Sequence, residues 1–200
     1  MTTLSLIAMG YLFGSIPFGV ILTGLFGAGD LRQIGSGNIG ATNVLRTGRK
    51  GLAAATLILD GAKGAVAVLL ARHYVPELGD QGAMIAGAAA MIGHCYPVWL
   101  KFRGGKGVAT LLGLALALAW PIGLVFAVVW IGAVLLLRIS SLGGMLGAGA
   151  APLAALALGY PVYAIGLAGL AVIVLWRHRQ NIARLRAGTE PRIGGKKDPA

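Results

Sequence analysis

The 200-residue chain has few charged side chains: Asp, Glu, Lys and Arg make up 12% of it, against roughly a quarter in typical soluble domains. Hydrophobic residues make up 57%, which excludes a disordered protein and argues against an ordinary soluble domain. Carboxylates are scarcest, with 6 Asp and Glu against 17 Lys and Arg and a net charge of +11. In a membrane protein such an excess first indicates orientation, so we expect no nucleic-acid partner.

Cysteine and clustered histidine are also lacking. The single cysteine, Cys95, excludes an intrachain disulfide and is expected to be a buried, inert thiol. The three histidines lie far apart along the chain, so we expect no metal site and no cofactor. No Lys or Arg precedes Leu4, whereas a secretory signal normally begins with positive charge. The first apolar segment is therefore interpreted as a retained transmembrane helix with its N-terminus outside.

Five long apolar runs determine the predicted architecture: 4–26, 52–71, 83–100, 108–137 and 142–176. The last two would form helices of about 45 and 52 Å, which exceeds the roughly 30 Å of a bilayer core. Each has an interfacial aromatic residue followed by proline near its middle, at Trp120-Pro121 and Tyr160-Pro161. The sequence thus predicts an all-α polytopic membrane protein with seven spans, some of them short. Five spans is the alternative.

The positive charges predict the orientation. With seven spans one side receives most of them, and the other side receives Arg72 almost alone. The positive-inside rule places the richer side in the cytoplasm, together with the C-terminus. We expect one domain over residues 1–200, with a flexible cytoplasmic tail over 188–200. The cytoplasmic set comprises Arg32, Arg46, Arg49, Lys50, Lys101, Arg103, Lys106, Arg138 and the basic residues of 177–197.

Three polar clusters lie on that side. The first, 35–46, alternates glycine with small hydrogen-bonding residues and ends at an arginine, a pattern suited to holding phosphate in a nest of N–H groups. A flexible turn with a helix cap at Asn38 or Thr42 is the alternative. The candidate phosphate ligands are Gly35, Ser36, Gly37, Asn38, Thr42, Asn43 and Arg46.

The second cluster, 101–110, places cations and glycines before a hydrophobic helix, whose N-terminus would favour an anion. Nucleotide binding is disfavoured because the P-loop spacing is absent. A loop that only sets topology is the alternative. The candidate ligands are Lys101, Arg103, Gly104, Gly105, Lys106 and Gly107.

The third cluster, 176–190, places His178 and Asn181 three residues apart on a basic helix, which could instead simply contact anionic lipid. Two further sites stand apart. Ser140 and Ser141 could cap a helix or face a site, and we include Ser141 among the candidate ligands. Asp60 and Lys63, inside the second span, could form an ion pair or contact substrate through Lys63.

The segments GSGNIGATNVLR at 35–46, KFRGGKGVAT at 101–110 and HRQNIARL at 178–185 resemble the three motifs of the bacterial acyl-phosphate:glycerol-3-phosphate acyltransferases, the PlsY family. The pattern Asp60-x-x-Lys63-Gly64 also fits. The resemblance implies seven spans in the bacterial inner membrane and an active site at its cytoplasmic face. It implies acyl transfer from acyl phosphate to the 1-hydroxyl of glycerol 3-phosphate, giving lysophosphatidic acid and phosphate.

We assign hypothetical roles to the candidate residues for this reaction; the resemblance itself implies that the substrate's phosphate is the base. Ser36, Asn38, Thr42 and Arg46 would bind phosphate, and Lys106 with the Gly104-Gly105 backbone would neutralise the leaving phosphate. His178 and Asn181 would orient glycerol 3-phosphate or stabilise the oxyanion, and the base would be His178 or the substrate's own phosphate. Expected partners are both substrates, membrane lipid and a soluble enzyme that produces acyl phosphate. The alternatives are a transporter of a phosphate-bearing anion or lipid, and a non-catalytic scaffold.

Overall fold

The computed structural model describes residues 2–194, and within that range every regular element is helical. The first half of the chain forms α1 (Thr3–Gly14), α2 (Phe18–Leu25), the short α3 (Ala41–Leu45), α4 (Lys50–Tyr74) and α5 (Gly79–Cys95). The second half forms α6 (Val108–Leu118), α7 (Trp120–Leu137), α8 (Ser140–Ala157), α9 (Pro161–Arg177) and α10 (Arg179–Arg186). The all-α prediction is confirmed.

The two predicted helix breaks are also confirmed, because α6 ends just before Trp120 and α8 ends just before the Tyr160-Pro161 step. A further break, which the sequence interpretation missed, divides the first apolar run at residues 15–17, where Pro17 precedes α2. Among residues 2–194, five helical stretches are long and apolar enough to cross a membrane, and α9 with α10 would make a sixth, bent by 61°. The 11-residue α6 is shorter, so seven crossings stays a prediction.

Close approach of small residues holds the bundle together. A Cβ atom added at Gly113 of α6 would lie 1.9 Å from the carbonyl oxygen of Gly61 in α4. A Cβ at Gly14 of α1 would lie 1.9 Å from the carbonyl oxygen of Ala90 in α5. Such contacts let helices associate in lipid, where apolar burial alone gives little driving force. Cys95 lies fully buried in the main apolar core, as expected.

Most charged side chains lie at the two ends of the bundle, and Asp60 and Lys63, inside α4, are exceptions. At one end Arg72 donates to the carbonyl oxygens of Ala117 and Leu118, at 2.8 and 2.7 Å, where α6 ends. At the other end α4 and α6 begin, and the three polar clusters meet there. Residues 188–194, the start of the tail predicted to be flexible, pack at that end: the N–H of Ile193 donates to the carbonyl of Arg138 at 2.7 Å. The rest of that tail, 195–200, lies outside the described residues.

Candidate active site

A cavity of about 940 Å³ opens at the end of the bundle where the three clusters meet. Its apolar wall includes Leu57, Val108, Ala109 and Trp130. Its polar wall combines cations with hydrogen-bonding groups from segments distant in sequence. Those polar residues are Ser36, Asn38, Thr42, Asn43, Arg46, Asp60, His94, Lys106, Ser140, Ser141, His178, Asn181, Arg184, Thr189, Glu190 and Arg192.

Asn43 organises the loop of the first cluster. Its Nδ2 donates to the carbonyl oxygens of Leu31 and Ile34, both at 2.9 Å, and its Oδ1 accepts from the N–H of Ser36 at 3.2 Å. Gly35 has a positive φ of 55°, and a Cβ there would lie 2.7 Å from Asn43 Oδ1 and from Arg46. Glycine is thus required at this turn. Asn43 shapes the loop of the first cluster by binding its backbone.

The alternative of a helix cap in this cluster is wrong. The residue that precedes α3 is Gly40, and no side chain caps the helix. Asn38 instead accepts from the N–H of Gly40 at 2.9 Å, and Thr42 Oγ1 lies 2.9 Å from Ser140 Oγ on α8. Ser140 begins α8, and no side chain caps that helix either.

The glycines of the second cluster are arranged differently from the expected phosphate nest. The N–H of Gly104 donates to the carbonyl of Cys95 at 3.2 Å, and that of Gly105 to the carbonyl of His94 at 3.0 Å. From the other side Arg177 donates to the carbonyl oxygens of Gly104 and Gly105, at 2.6 and 2.9 Å. Both N–H groups are therefore occupied, and neither glycine lines the cavity. This backbone therefore does not offer its N–H groups to a phosphate, contrary to the prediction.

Four other candidate ligands lie outside the cavity lining: Gly37, Lys63, Lys101 and Arg103. Gly37, Lys101 and Arg103 are exposed, while Lys63 is buried beside Asp60. Gly37, Lys101 and Arg103 were predicted as members of the first two clusters, but residues of one loop point in different directions. Lys63 was predicted as a possible substrate contact inside the second span. The cavity does receive Gly35, Gly107 and Ser141. Among residues 2–194 no cluster of His, Cys, Asp or Glu could hold a metal ion.

Lys106 lies at the centre of the polar wall. Its Nζ donates to Oδ1 of Asn181 at 2.5 Å. Burial lowers the pKa of Lys106 to about 8; the Glu190 carboxylate opposes this shift, and the positive charges of Arg184, Arg46 and Arg177 add to it. The side chain is therefore mostly a cation at neutral pH, placed among cations with few anions. Such a group would gain from the arrival of a phosphate.

Glu190 is the principal residue that the sequence interpretation missed. Its carboxylate accepts from Asn181 Nδ2 at 2.5 Å, from Ser141 Oγ at 2.6 Å and from Arg184 Nε at 2.7 Å. Burial alone would raise its pKa, but these three hydrogen bonds together hold the pKa of the carboxyl below its usual value. The available signal was Gly188, whose positive φ of 69° ends the helix and turns the chain back over the cavity.

His178 lies at the bend between α9 and α10 and is 2% exposed. Its Nδ1 lies 2.8 Å from the carbonyl oxygen of Val174. Because a carbonyl oxygen can only accept, Nδ1 carries the proton and Nε2 presents a lone pair. Burial, with the charge of Lys106, lowers the pKa of His178 to about 4, so the ring is neutral at physiological pH. A neutral ring of this tautomer can accept a proton but cannot donate one from Nε2.

Comparison with known proteins identifies the family of the chain. The family model for glycerol-3-phosphate acyltransferase matches residues 4–188. Proteins named glycerol-3-phosphate acyltransferase from Ruegeria sp. (strain TM1040) and Novosphingobium aromaticivorans are 60% and 65% identical, each over 98% of this chain and 97% of the relative.

Two crystal structures of PlsY (YgiH), an integral membrane glycerol 3-phosphate acyltransferase, are also similar to this chain. They represent its glycerol 3-phosphate and lysophosphatidic acid forms, with TM-scores of 0.91 and 0.89. Each is 37% identical, over 97% of this chain and 96% of that one. The chain is a multi-pass membrane acyltransferase and belongs to the glycerol-3-phosphate acyltransferase family.

Proposed function

We propose that this protein transfers a fatty acyl group from acyl phosphate to the 1-hydroxyl of glycerol 3-phosphate, at the cytoplasmic face of the bacterial inner membrane. The products are lysophosphatidic acid and inorganic phosphate. The observation that carries the proposal is one cavity whose polar wall holds cations and whose apolar wall is formed by residues of the hydrophobic helices α4, α6 and α7. A transporter would instead place its site at the membrane midplane. The acyl phosphate would come from a separate soluble enzyme.

Acyl phosphate is an activated mixed anhydride, so positioning and charge stabilisation can supply most of the catalysis. The hydroxyl oxygen attacks the acyl carbonyl carbon, and the bond from that carbon to the phosphate oxygen breaks. The leaving phosphate takes the bonding electron pair, and the hydroxyl proton passes to a base. Lys106 and Arg46 line the cavity where this negative charge would develop, with Ser36, Asn38 and Thr42 as further hydrogen-bonding groups.

The tautomer of His178 supports a proton-accepting role over an oxyanion-stabilising one. With Nδ1 committed to the Val174 carbonyl, Nε2 is the free acceptor. The phosphate of glycerol 3-phosphate is the alternative base, because its second pKa is near 6. Asn181, which donates to Glu190 and accepts from Lys106, would orient glycerol 3-phosphate and take no part in proton transfer.

The test uses purified protein in detergent with acyl phosphate and glycerol 3-phosphate, following phosphate and lysophosphatidic acid together. We expect equal amounts of both. If lysophosphatidic acid forms only when an acyl thioester replaces acyl phosphate, the proposal of acyl phosphate as the donor is refuted. If no product forms under any condition, the enzyme assignment is refuted.

Two pairs of variants assign the residues. Arg46→Ala should lose about 10- to 100-fold in kcat/KM, the value of a charge-assisted hydrogen bond, while the exposed Arg103→Ala should lose little. Equal losses would contradict the cavity assignment. His178→Ala with near wild-type turnover would exclude histidine as the base, whereas a large loss that His178→Gln does not restore would support it.

A further inference from the structure

Three buried ionisable side chains have no part in the proposed reaction. Asp60 and Lys63 of α4 and His94 of α5 are each at most 4% exposed. Charged groups this deep in a membrane bundle are costly and call for a physical explanation. Lys63 has a structural one: its Nζ lies 2.8 Å from Asp60 Oδ1 and donates to the carbonyl of Ile16 at 2.9 Å, in the break between α1 and α2.

The ion pair with Lys63 accounts for the buried charge of Asp60, but it does not account for His94. His94 Nδ1 lies 3.7 Å from Asp60 Oδ1 and has no hydrogen-bond partner among residues 2–194. Both residues also line the cavity. The carboxylate therefore faces the Nδ1 edge of the imidazole.

The opposite edge of the His94 ring lies against the glycine loop. A Cβ atom at residue 105 would be only 2.0 Å from His94 Nε2. Gly105 does not have a positive φ, so the requirement for glycine there is the space taken by the imidazole. The backbone adds to this contact, because the His94 carbonyl accepts from the Gly105 N–H at 3.0 Å.

Gly105 is followed directly by Lys106. The loop is held between His94 on one side and Arg177 on the other, so displacement of the imidazole moves the backbone from which Lys106 extends. A shift of about 1 Å in a catalytic group can cost about 100-fold in rate. We propose that His94, oriented by Asp60, is a positioning residue that sets the place of Lys106 in the cavity through Gly105. This inference rests on the proposed role of Lys106 in acyl transfer.

The principal test is His94→Asn, which retains a donor toward Asp60 and removes the part of the ring that contacts Gly105. We expect a fold close to wild type and a kcat lower by about 10- to 100-fold. In a plot of kcat against pH, the fall at high pH (the high-pH limb) should also move upward by one pH unit or more. That limb reports Lys106, whose neighbours Glu190, Arg184, Arg46 and Arg177 are unchanged, and a lysine released from burial regains its ordinary pKa.

A second variant reaches the same contact from the other side. Gly105→Ala should displace the imidazole and reproduce both changes, and the double variant with His94→Asn should be no worse than the poorer single one. If the losses in kcat of the two single variants multiply in the double variant, His94 and Gly105 act independently, which would overturn the proposal. Should His94→Asn fail to fold, the pair Asp60→Asn with Lys63→Met keeps the cluster neutral and similar in volume, and we expect the same upward shift.

Asp80→Asn is the matched control, a carboxylate-to-amide change beside Arg72 and Tyr163 at the opposite end of the bundle. It should leave kcat and its pH profile unchanged. A fall in kcat for His94→Asn without movement of the limb would mean direct contact with substrate and would overturn the positioning role, as would wild-type kinetics. If the wild-type protein itself forms no product, the proposed function fails instead.

Discussion

The protonation of Lys106 gives a quantitative prediction for the pH dependence of the reaction. Burial lowers the pKa of this lysine to about 8. A base with that pKa is about 90% protonated at pH 7 and about 10% protonated at pH 9, because one unit is a tenfold ratio. Since the proposed role needs the cation, loss of the Lys106 proton should lower kcat little at pH 7 and about tenfold per unit above pH 8.

Variants of the charged neighbours of Lys106 should move this fall in kcat (the high-pH limb) to lower or to higher pH. The charge of Glu190 raises the pKa of Lys106, so Glu190→Gln should move the limb to lower pH. The charge of Arg184 lowers this pKa, so Arg184→Gln should move the limb to higher pH. Initial rates of phosphate release at saturating substrates, measured from pH 6 to 10, would show both shifts.

Two results would refute this reasoning. A flat profile up to pH 10 in the wild-type protein would mean that Lys106 either keeps an ordinary pKa or does not act as a cation. A shift in the same direction for both neighbour variants would mean that the limb reports another group. Thermal unfolding in detergent, followed by circular dichroism, controls for variants that merely lose their fold.

Three further predictions concern packing and loop geometry. Asn43→Ala leaves the carbonyl groups of Leu31 and Ile34 without their donor. Each buried unpaired group costs about 1–3 kcal/mol of stability, so the unfolding temperature should fall and activity should be lost. Gly113→Ala, with its Cβ 1.9 Å from the Gly61 oxygen, should lower the unfolding temperature in detergent, while Gly132→Ala, which meets nothing within 4 Å, should not. Arg177→Lys keeps the charge but cannot make both carbonyl bonds, so kcat should fall about tenfold while the fold remains.

The helices were largely predictable because their limits depend on local features. A run of 30 or more apolar residues is too long to cross a bilayer as one helix, and Pro121 and Pro161 marked where such runs divide. The break at Pro17 was missed because the run it divides is short enough for one crossing. The three clusters were likewise recognisable, since glycine, small polar residues and arginine together suit phosphate.

Which members of a cluster face the cavity was not predictable, because that depends on contacts between distant segments. Gly104 and Gly105 looked like a phosphate nest, yet their N–H groups pair with the end of α5. Arg177 had no predicted role of its own within the third cluster, yet it holds that same loop. Glu190 had no spacing rule to identify it, since its partners Ser141 and Asn181 come from two other helices.

Because residues 188–190 fold back over the cavity, the site can lose its structure while the membrane bundle stays folded. The carboxylate of Glu190 joins Ser141, Asn181 and Arg184 from a segment without regular structure, and Gly188 and Thr189 on that segment are exposed. Such a segment can detach at a small fraction of the free energy needed to separate apolar helices. On warming, activity should therefore disappear at a lower temperature than helicity. An inactive preparation with full helical content would represent an early, local stage of unfolding, and cooling should restore its activity.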